Sequence, residues 1–507
     1  MKIEELIKSL GNSNEHSNLG DFEVCGISCN SKQILDNFVF VAIKGAREDG
    51  NRYIEEAIGR GAKVVIVQSP GHRVILRSTQ DTSPKDTERQ RSARSPEGVS
   101  FIKVKDARIA LARLTAEFYG HPSSKIKVIG ITGTNGKTTV SYLLEALLKE
   151  DGFFPGLIGT VNYRFKDRII PSKNTTPGPI ELESLLADMV KEGGSHAIME
   201  VSSHALDQDR TRGINFHSAI FTNLTQDHLD YHKTLGNYFN AKARLFRNIS
   251  PDSFVVINND DRYARRIKNI TKASIITYGI ENKAQVNAKK TKFDSLHTEF
   301  CLVSPEGEIN FTSPLVGRHN VYNILAAVSW ALKAGIAIST IKSAIAGLCL
   351  VPGRLEKIDF EGNFRVFVDY AHTEDALRNI IGTLRCLTKK RLIVVFGCGG
   401  ERDKTKRPKM GKVVSESVDY AIITNDNPRS EDPQEIINDI KQGIKKTNYC
   451  VIPERGLAIK KSLSLAKSGD IVLIAGKGHE DCQIIKDKVM PFNDGKAIRE
   501  CLKSMNY

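Results

Sequence analysis

No paired C-x-x-C spacing occurs in the 507 residues, and the nine cysteines (25, 29, 301, 349, 386, 398, 450, 482 and 501) are an odd number spread along the chain. Such thiols read as reduced and mostly structural rather than as a disulfide framework. The opening MKIEELIKSL has no uninterrupted apolar core and no small-residue cleavage site. Neither a signal peptide nor membrane insertion is expected, and the cytoplasm is the default compartment. An RNP-like aromatic pattern, zinc-finger spacing, a basic zipper and a tandem repeat are likewise missing. These absences bear on the formal net charge of +14, which suits nucleic acid, an anionic small molecule or a basic solvated surface. Nothing gathers that charge onto a nucleic-acid motif, so no nucleic-acid partner is expected.

What is present is enough apolar sequence, 40%, for about three ordinary cores in a multidomain monomer. Residues 78–95, STQDTSPKDTERQRSARS, hold one apolar residue, Ala93. Burial cannot offset the ordering entropy of such a segment, which reads as a disordered insertion. Around it the strand-like runs EVCGISC, FVFVAI, AKVVIVQ and FIKV predict a small amino-terminal α/β domain over 1–110. VIGIT, AIMEV, AIFTNL, FVVIN and SIITYG, interleaved with helical patterns, predict a central P-loop ATPase-like domain with a mostly parallel sheet over 111–350. Over 351–507 a carboxyl-terminal Rossmann-like α/β domain is expected. There RVFVDYAH, RLIVVFGCGG, YAIITNDNPR and DIVLIAGKGHE each end in Gly, Asp, Asn, Arg or His, as strands lining a ligand crevice do.

The strongest local signal is GITGTNGKTT at 130–139, set between a strand and a helix carrying Val140, Leu143, Leu144, Leu147 and Leu148 on one face. Backbone N–H groups from Gly133, Thr134, Asn135, Gly136, Lys137, Thr138 and Thr139 can wrap phosphate oxygens. Lys137 can neutralise transferring charge, and the Thr138 hydroxyl can ligate Mg²⁺. A standard G-x-x-x-x-G-K spacing would put glycine where Ile131 stands, and the extra glycine is Gly133 instead. That departure disfavours a generic nucleic-acid motor.

TGTNGKTT resembles the Mur ligase family, and NTTP (174–177), EVSSHAL (200–206), TNLTQDHLDYH (222–232), AKARLF (241–246), GRHNVYN (317–323) and DYAHTEDAL (369–377) match that family's blocks in order. Glu200 and His228 are plausible ligands for a hard cation on chemical grounds, and the resemblance implies that with Thr138 they hold Mg²⁺. It also implies that Lys242, which on spacing alone is an ordinary helical lysine, is carbamylated to N6-carboxylysine and joins the metal site. By similarity Asn174, Thr175, Thr176, Ser202, Gln208 and Arg210 hold a UDP-muramoyl dipeptide and Ser31 contacts its uridine nucleotide. The family's Asp-Ser-Arg there reads Asn30, Ser31, Lys32. Arg354 and Asp369 are expected to face ATP.

The segment NDNPRSEDP, with Asp426, Asn427, Pro428 and Arg429, looks like the meso-diaminopimelate-adding branch, and Arg402, Gly476 and Glu480 match its remaining amino-acid contacts. A guanidinium fork suits the second carboxylate of diaminopimelate, which lysine lacks. The resemblance therefore implies an ATP- and Mg²⁺-dependent ligase that passes through an acyl phosphate. Its rivals are a lysine-adding or folylpolyglutamate-type relative and, in another class, a nucleic-acid-dependent P-loop ATPase. The composition of residues 78–95 leads to a first expected outcome: exchanging them for a short Gly/Ser linker leaves substrate turnover intact. Loss of folding or of turnover in that variant would show the segment to be structured or functional.

Overall fold

The structure is a computed structural model that describes residues 1–11, 19, 21–45, 48–68, 98–294, 297–348 and 350–505. The expected insertion at 78–95 lies outside the described residues, as does Cys349. By their contacts the residues form two compact units. One is Met1–Lys127 with Thr176–Gly194 and His204–Asn215; the other is Val128–Thr175 with Ser195–Ser203 and Phe216–Tyr507.

In the first unit the four apolar runs become one parallel sheet in sequential order: Gly26–Ser28, Phe38–Val41, Ala62–Gln68 and Ser100–Val104. Alternation sends Val39, Val41, Val64 and Ile66 into one cluster with Ile3, Leu6, Leu111 and Leu114. Phe40 and Val65 enter another with Ile54 and Ala57. Both faces are covered, as a parallel sheet with helical crossovers requires.

The second unit holds an eleven-stranded sheet and a six-stranded sheet. In the larger one, Lys127–Thr132 lies between Phe216–Phe221, to which it runs parallel, and His196–Glu200. Phe254–Asn258 and Ser274–Gly279 extend the parallel core. The helix Lys137–Glu150 returns over this sheet and packs with Arg318–Lys333 and Ile338–Gly347. Its Leu143, Leu144, Leu147 and Leu148 are at most 1% exposed, each worth about 1.5–3 kcal/mol of apolar burial. Two antiparallel edges went unread in the sequence: Asn162–Phe165 with Arg168–Pro171, and Val286–Phe293 with Thr298–Ser304 and Gly307–Ser313. VNAKKTKF is apolar only at its start and its end, so its pairing comes from neighbours rather than from its own pattern.

The six-stranded sheet runs Glu356–Ile358, Arg365–Asp369, Ile471–Ala475, Leu392–Phe396, Tyr420–Ile423 and Tyr449–Val451, all parallel except the first. The four runs that end in ligand-type residues are thus adjacent and aligned. Among the described residues no helix is long and apolar enough to cross a membrane.

Within the first unit, Glu183 on the helix Pro179–Lys191 is 1% exposed, and its Oε2 has no hydrogen-bond partner. Burial pushes its carboxyl from the ordinary 4.5 up to about 8. The native state therefore keeps a proton that the unfolded chain releases above its ordinary pKa, and stability is lost as pH rises toward about 8. Glu183→Gln escapes this penalty. Its melting temperature should match the wild type near pH 5 and exceed it increasingly up to pH 8, by about 1.4 kcal/mol of stability per pH unit. A pH-independent difference would refute the assignment.

Candidate active site

The glycine-rich loop 133–136 follows the strand Lys127–Thr132. Gly133 has φ 155° and Gly136, which caps the helix Lys137–Glu150, has φ 89°. A Cβ on Gly133 would collide with the Thr222 hydroxyl, and one on Gly136 with the Asn323 amide, so both glycines are required by conformation and by space. The loop is tied down from outside. Thr134 N–H donates to Asn223 O (2.9 Å), Asn135 N–H to Asn223 Oδ1 (2.9 Å), and Asn135 Nδ2 to Asp375 Oδ2 (2.8 Å). Thr139, one turn into the helix, is buried.

Two lysines converge on one carbonyl oxygen. Lys137 Nζ donates to Gly133 O (2.9 Å) and Thr134 O (2.9 Å), and Lys242 Nζ donates to the same Gly133 O (2.8 Å). Burial lowers the pKa of Lys137, against the pull of Glu200 and Asp227. Burial and the charge of Lys137 hold Lys242 well below its ordinary value. The Lys242 amine also lies over the Tyr238 ring, 4.7 Å from its centroid.

Glu200, fully buried at the end of strand His196–Glu200, accepts from the hydroxyls of Thr138 (3.0 Å) and Thr160 (2.9 Å) and from Thr160 N–H (2.9 Å). Arg354 Nη2 donates to Thr138 Oγ1 (3.1 Å), while Asp369 accepts the amides of Leu355 (2.6 Å) and Ala371 (2.7 Å). His228, at φ 54°, lies beside Asp227, with Nε2 to Oδ2 at 3.4 Å. Burial alone would raise the Asp227 carboxyl, but Lys406, His228 and His372 hold it well below its ordinary value. Among the described residues no group of three or more His, Cys, Asp or Glu side chains forms a metal cluster. A carboxylate ringed by threonine hydroxyls, with a histidine on a neighbouring loop, still fits a hard cation, since hydroxyls can turn lone pairs toward it.

At the ends of the six-stranded sheet the second set assembles. Lys477, fully buried, donates to Asn427 Oδ1 (3.0 Å) and Glu480 Oε2 (2.8 Å), and Asn427 Nδ2 donates to Glu480 Oε2 (2.8 Å). Asp426 is buried; burial raises its carboxyl, but Lys477 and Arg455 hold it below the ordinary range. Arg429 adopts φ 54°, its backbone pinned by Ile484 and Lys486 (3.0 and 2.7 Å). Its Nη1 donates only to the carbonyls of Gly400 (2.7 Å) and Asn427 (3.4 Å), and exposed Arg402 donates to Glu401 O (3.0 Å). Arg429 Nη1 and the Cγ of Arg402 both lie beside Gly399. The Arg429 guanidinium, bonded to carbonyls with the charge of Arg402 nearby, has donors that could take an anion. A Cβ at Gly400 would collide with the Pro428 carbonyl, which explains the doubled glycine.

Of the sequence-predicted dipeptide contacts, Thr175 Oγ1 lies 3.1 Å from Thr160 Oγ1, and Asn174 O accepts from Tyr163 OH (2.6 Å). Ser202, half-buried, follows Glu200 in the same unit. In the amino-terminal unit Arg210 is held by Gln208 Oε1 (2.7 and 3.1 Å) and Thr176 O (2.9 Å), and Ser31 donates to Glu56 Oε2 (2.7 Å). Sequence reasoning missed Thr160, Asp227, Lys406, Arg455 and Lys477. Asp227 and Lys477 lie inside quoted blocks, whereas nothing local singles out Thr160, Lys406 or Arg455.

Comparison with known proteins gives three domain matches: "Mur ligase family, catalytic domain" over 23–119, "Mur ligase middle domain" over 131–331 and "Mur ligase, glutamate ligase domain" over 353–478. The chain is 42% identical, over all of both chains, to the UDP-N-acetylmuramoyl-L-alanyl-D-glutamate--2,6-diaminopimelate ligase of Clostridium botulinum. It is 41% identical to that of Solibacter usitatus, covering 96% of this chain and 95% of the relative. A solved structure of an enzyme of that name is 30% identical over the full length of both chains, with a TM-score of 0.67. The MurF ligase from Thermotoga maritima in complex with ADP, 19% identical over 94% and 97% of the two chains with a TM-score of 0.62, shares the fold.

Because Gly133 has neither conformational nor spatial room for a side chain, Gly133→Ala should displace the loop, at a cost of about 1–3 kcal/mol of strain. Nucleotide affinity measured by calorimetry should fall accordingly, and unchanged affinity would show that the loop does not cradle phosphate.

Proposed function

We propose a reaction from one premise, that this chain belongs to the Mur ligase family: it is an ATP-dependent amide-bond-forming ligase that joins meso-diaminopimelate to UDP-N-acetylmuramoyl-L-alanyl-D-glutamate in peptidoglycan precursor synthesis. The observation that carries the choice of amino acid is the Arg429 guanidinium, bonded to carbonyls with the charge of Arg402 nearby, beside the Asp426, Asn427 and Glu480 cluster. One end suits an ammonium and the other a carboxylate, so a zwitterionic head is recognised at a distance from the reacting amine.

The loop 133–139 takes the ATP phosphates, and Lys137 offsets charge on the transferring γ-phosphoryl group. That group passes to the D-glutamate side-chain carboxylate, breaking the bond to ADP. The amine of diaminopimelate then attacks the acyl phosphate, loses a proton and expels phosphate. Thr138, Glu200, His228 and a carbamylated Lys242 would hold Mg²⁺, which would supply charge neutralisation for the reaction. The lowered pKa of Lys242 supports carbamylation, because the neutral amine is the form that adds CO₂, releasing a proton and leaving an anion. Asn174, Thr175, Thr176, Ser202, Gln208 and Arg210 hold the dipeptide and Ser31 the uridine nucleotide. Pro428 and Gly476 shape the amino-acid pocket. Arg354 and Asp369 face ATP. This reading divides the chain at 1–110, 111–350 and 351–507 and has it act as a cytoplasmic monomer.

Wild type should strongly prefer diaminopimelate to lysine. Arg429→Ala should lose about 2–5 kcal/mol of kcat/KM for diaminopimelate and much less for lysine, and Arg429→Lys should rescue poorly. The ratio of kcat/KM for the two amino acids decides the matter: an unchanged ratio, or preference for lysine, would remove diaminopimelate as the substrate.

A further inference from the structure

Arg455 begins the helix Arg455–Leu465, and its side chain is 0% exposed. A cation at a helix N-terminus opposes the macrodipole, and a fully buried one is desolvated as well. Its Nε and Nη2 reach Asp494 Oδ1 (2.7 Å) and Oδ2 (2.8 Å), and Nη2 also donates to Ala475 O (3.0 Å). Nη1 is buried without a partner. An apolar pair of similar volume would fill the space of Arg455 and Asp494 without these costs, so packing does not account for the guanidinium.

What it faces does. Ala475 ends the strand Ile471–Ala475, and Gly476 follows at φ 116°. A Cβ there would lie 2.7 Å from Asp426 Oδ2 and 4.0 Å from Arg455 Nη2. The missing side chain thus leaves both the Asp426 carboxylate and the guanidinium close to one backbone position. Arg455 and Lys477 set two cations among the three carboxylates Asp494, Glu480 and Asp426. Arg429, His372, Tyr370 and Cys398 also face Asp426.

We propose that Arg455, clamped by Asp494, is a positioning residue that holds the Asp426 carboxylate ionised and aimed for the ammonium group of the incoming amino acid. The assignment rests on the reading of the Asp426 pocket as the amino-acid site. Arg455 touches no substrate; it acts through Asp426.

The test compares wild type with Arg455→Lys and with the paired Arg455→Met, Asp494→Leu variant, which removes the charges together and leaves no lone buried ion. Michaelis constants for ATP, dipeptide and diaminopimelate are measured from pH 6 to 9 alongside thermal melts. The paired variant should keep the first two constants and raise that for diaminopimelate by about tenfold near neutral pH. The defect should shrink as pH rises, because Asp426 without its cation ionises later. Arg455→Lys, which keeps the charge and loses the fork, should fall between, and it carries the test alone if the paired variant does not fold. An unaltered diaminopimelate constant, a defect independent of pH, or equal losses for all three substrates would overturn the assignment. Failure of the wild type to use diaminopimelate would overturn the substrate reading and the Arg455 assignment with it.

Discussion

The carbonyl oxygen of Gly133 receives both Lys137 and Lys242, and two ammonium groups cannot share one buried acceptor without a large electrostatic cost. Burial and the charge of Lys137 both push Lys242 toward its neutral amine. The loop geometry follows from the same contact. Gly133 presents its carbonyl to both lysines at φ 155°, and Thr222 closes the space a side chain would need. A single oxygen thus joins the phosphate loop to the helix Leu235–Asn248.

The segment 222–228 carries that arrangement outward. Asn223 and Thr225 bond the phosphate loop, while Gln226 Nε2 reaches Asp403 Oδ2 (3.0 Å) and Thr405 Oγ1 (2.9 Å) on the far side. Asp227 lies 3.6 Å from both Lys406 Nζ and His372 Nε2. This segment thus bonds the loop 133–135 on one side and the Asp403–Lys406 segment on the other.

Much of the fold was legible in the sequence. The continuous apolar runs of the parallel strands and the 3.6-residue spacing of Val140 to Leu148 are local properties, and each formed where expected. The antiparallel edges were not legible, because strands such as VNAKKTKF lack an alternating apolar pattern of their own and owe their pairing to the strands beside them. The glycine-rich loop at 133–139 and the Asp-Asn-Pro-Arg turn stand out in the sequence because their residues are contiguous.

By itself the sequence determined which chemical groups were available and in what local order: the loop glycines, the lysines, the strand-end clusters and the family blocks. Only the tertiary structure decided which charges share a desolvated space. Lys242 with Lys137, Asp227 with Lys406, and Arg455 with Asp426 stand far apart in the chain, and their protonation and aim come from burial and from neighbours across the fold. Periodicity reports which side of an element is buried; it carries no information about the electrostatic company a buried group will keep.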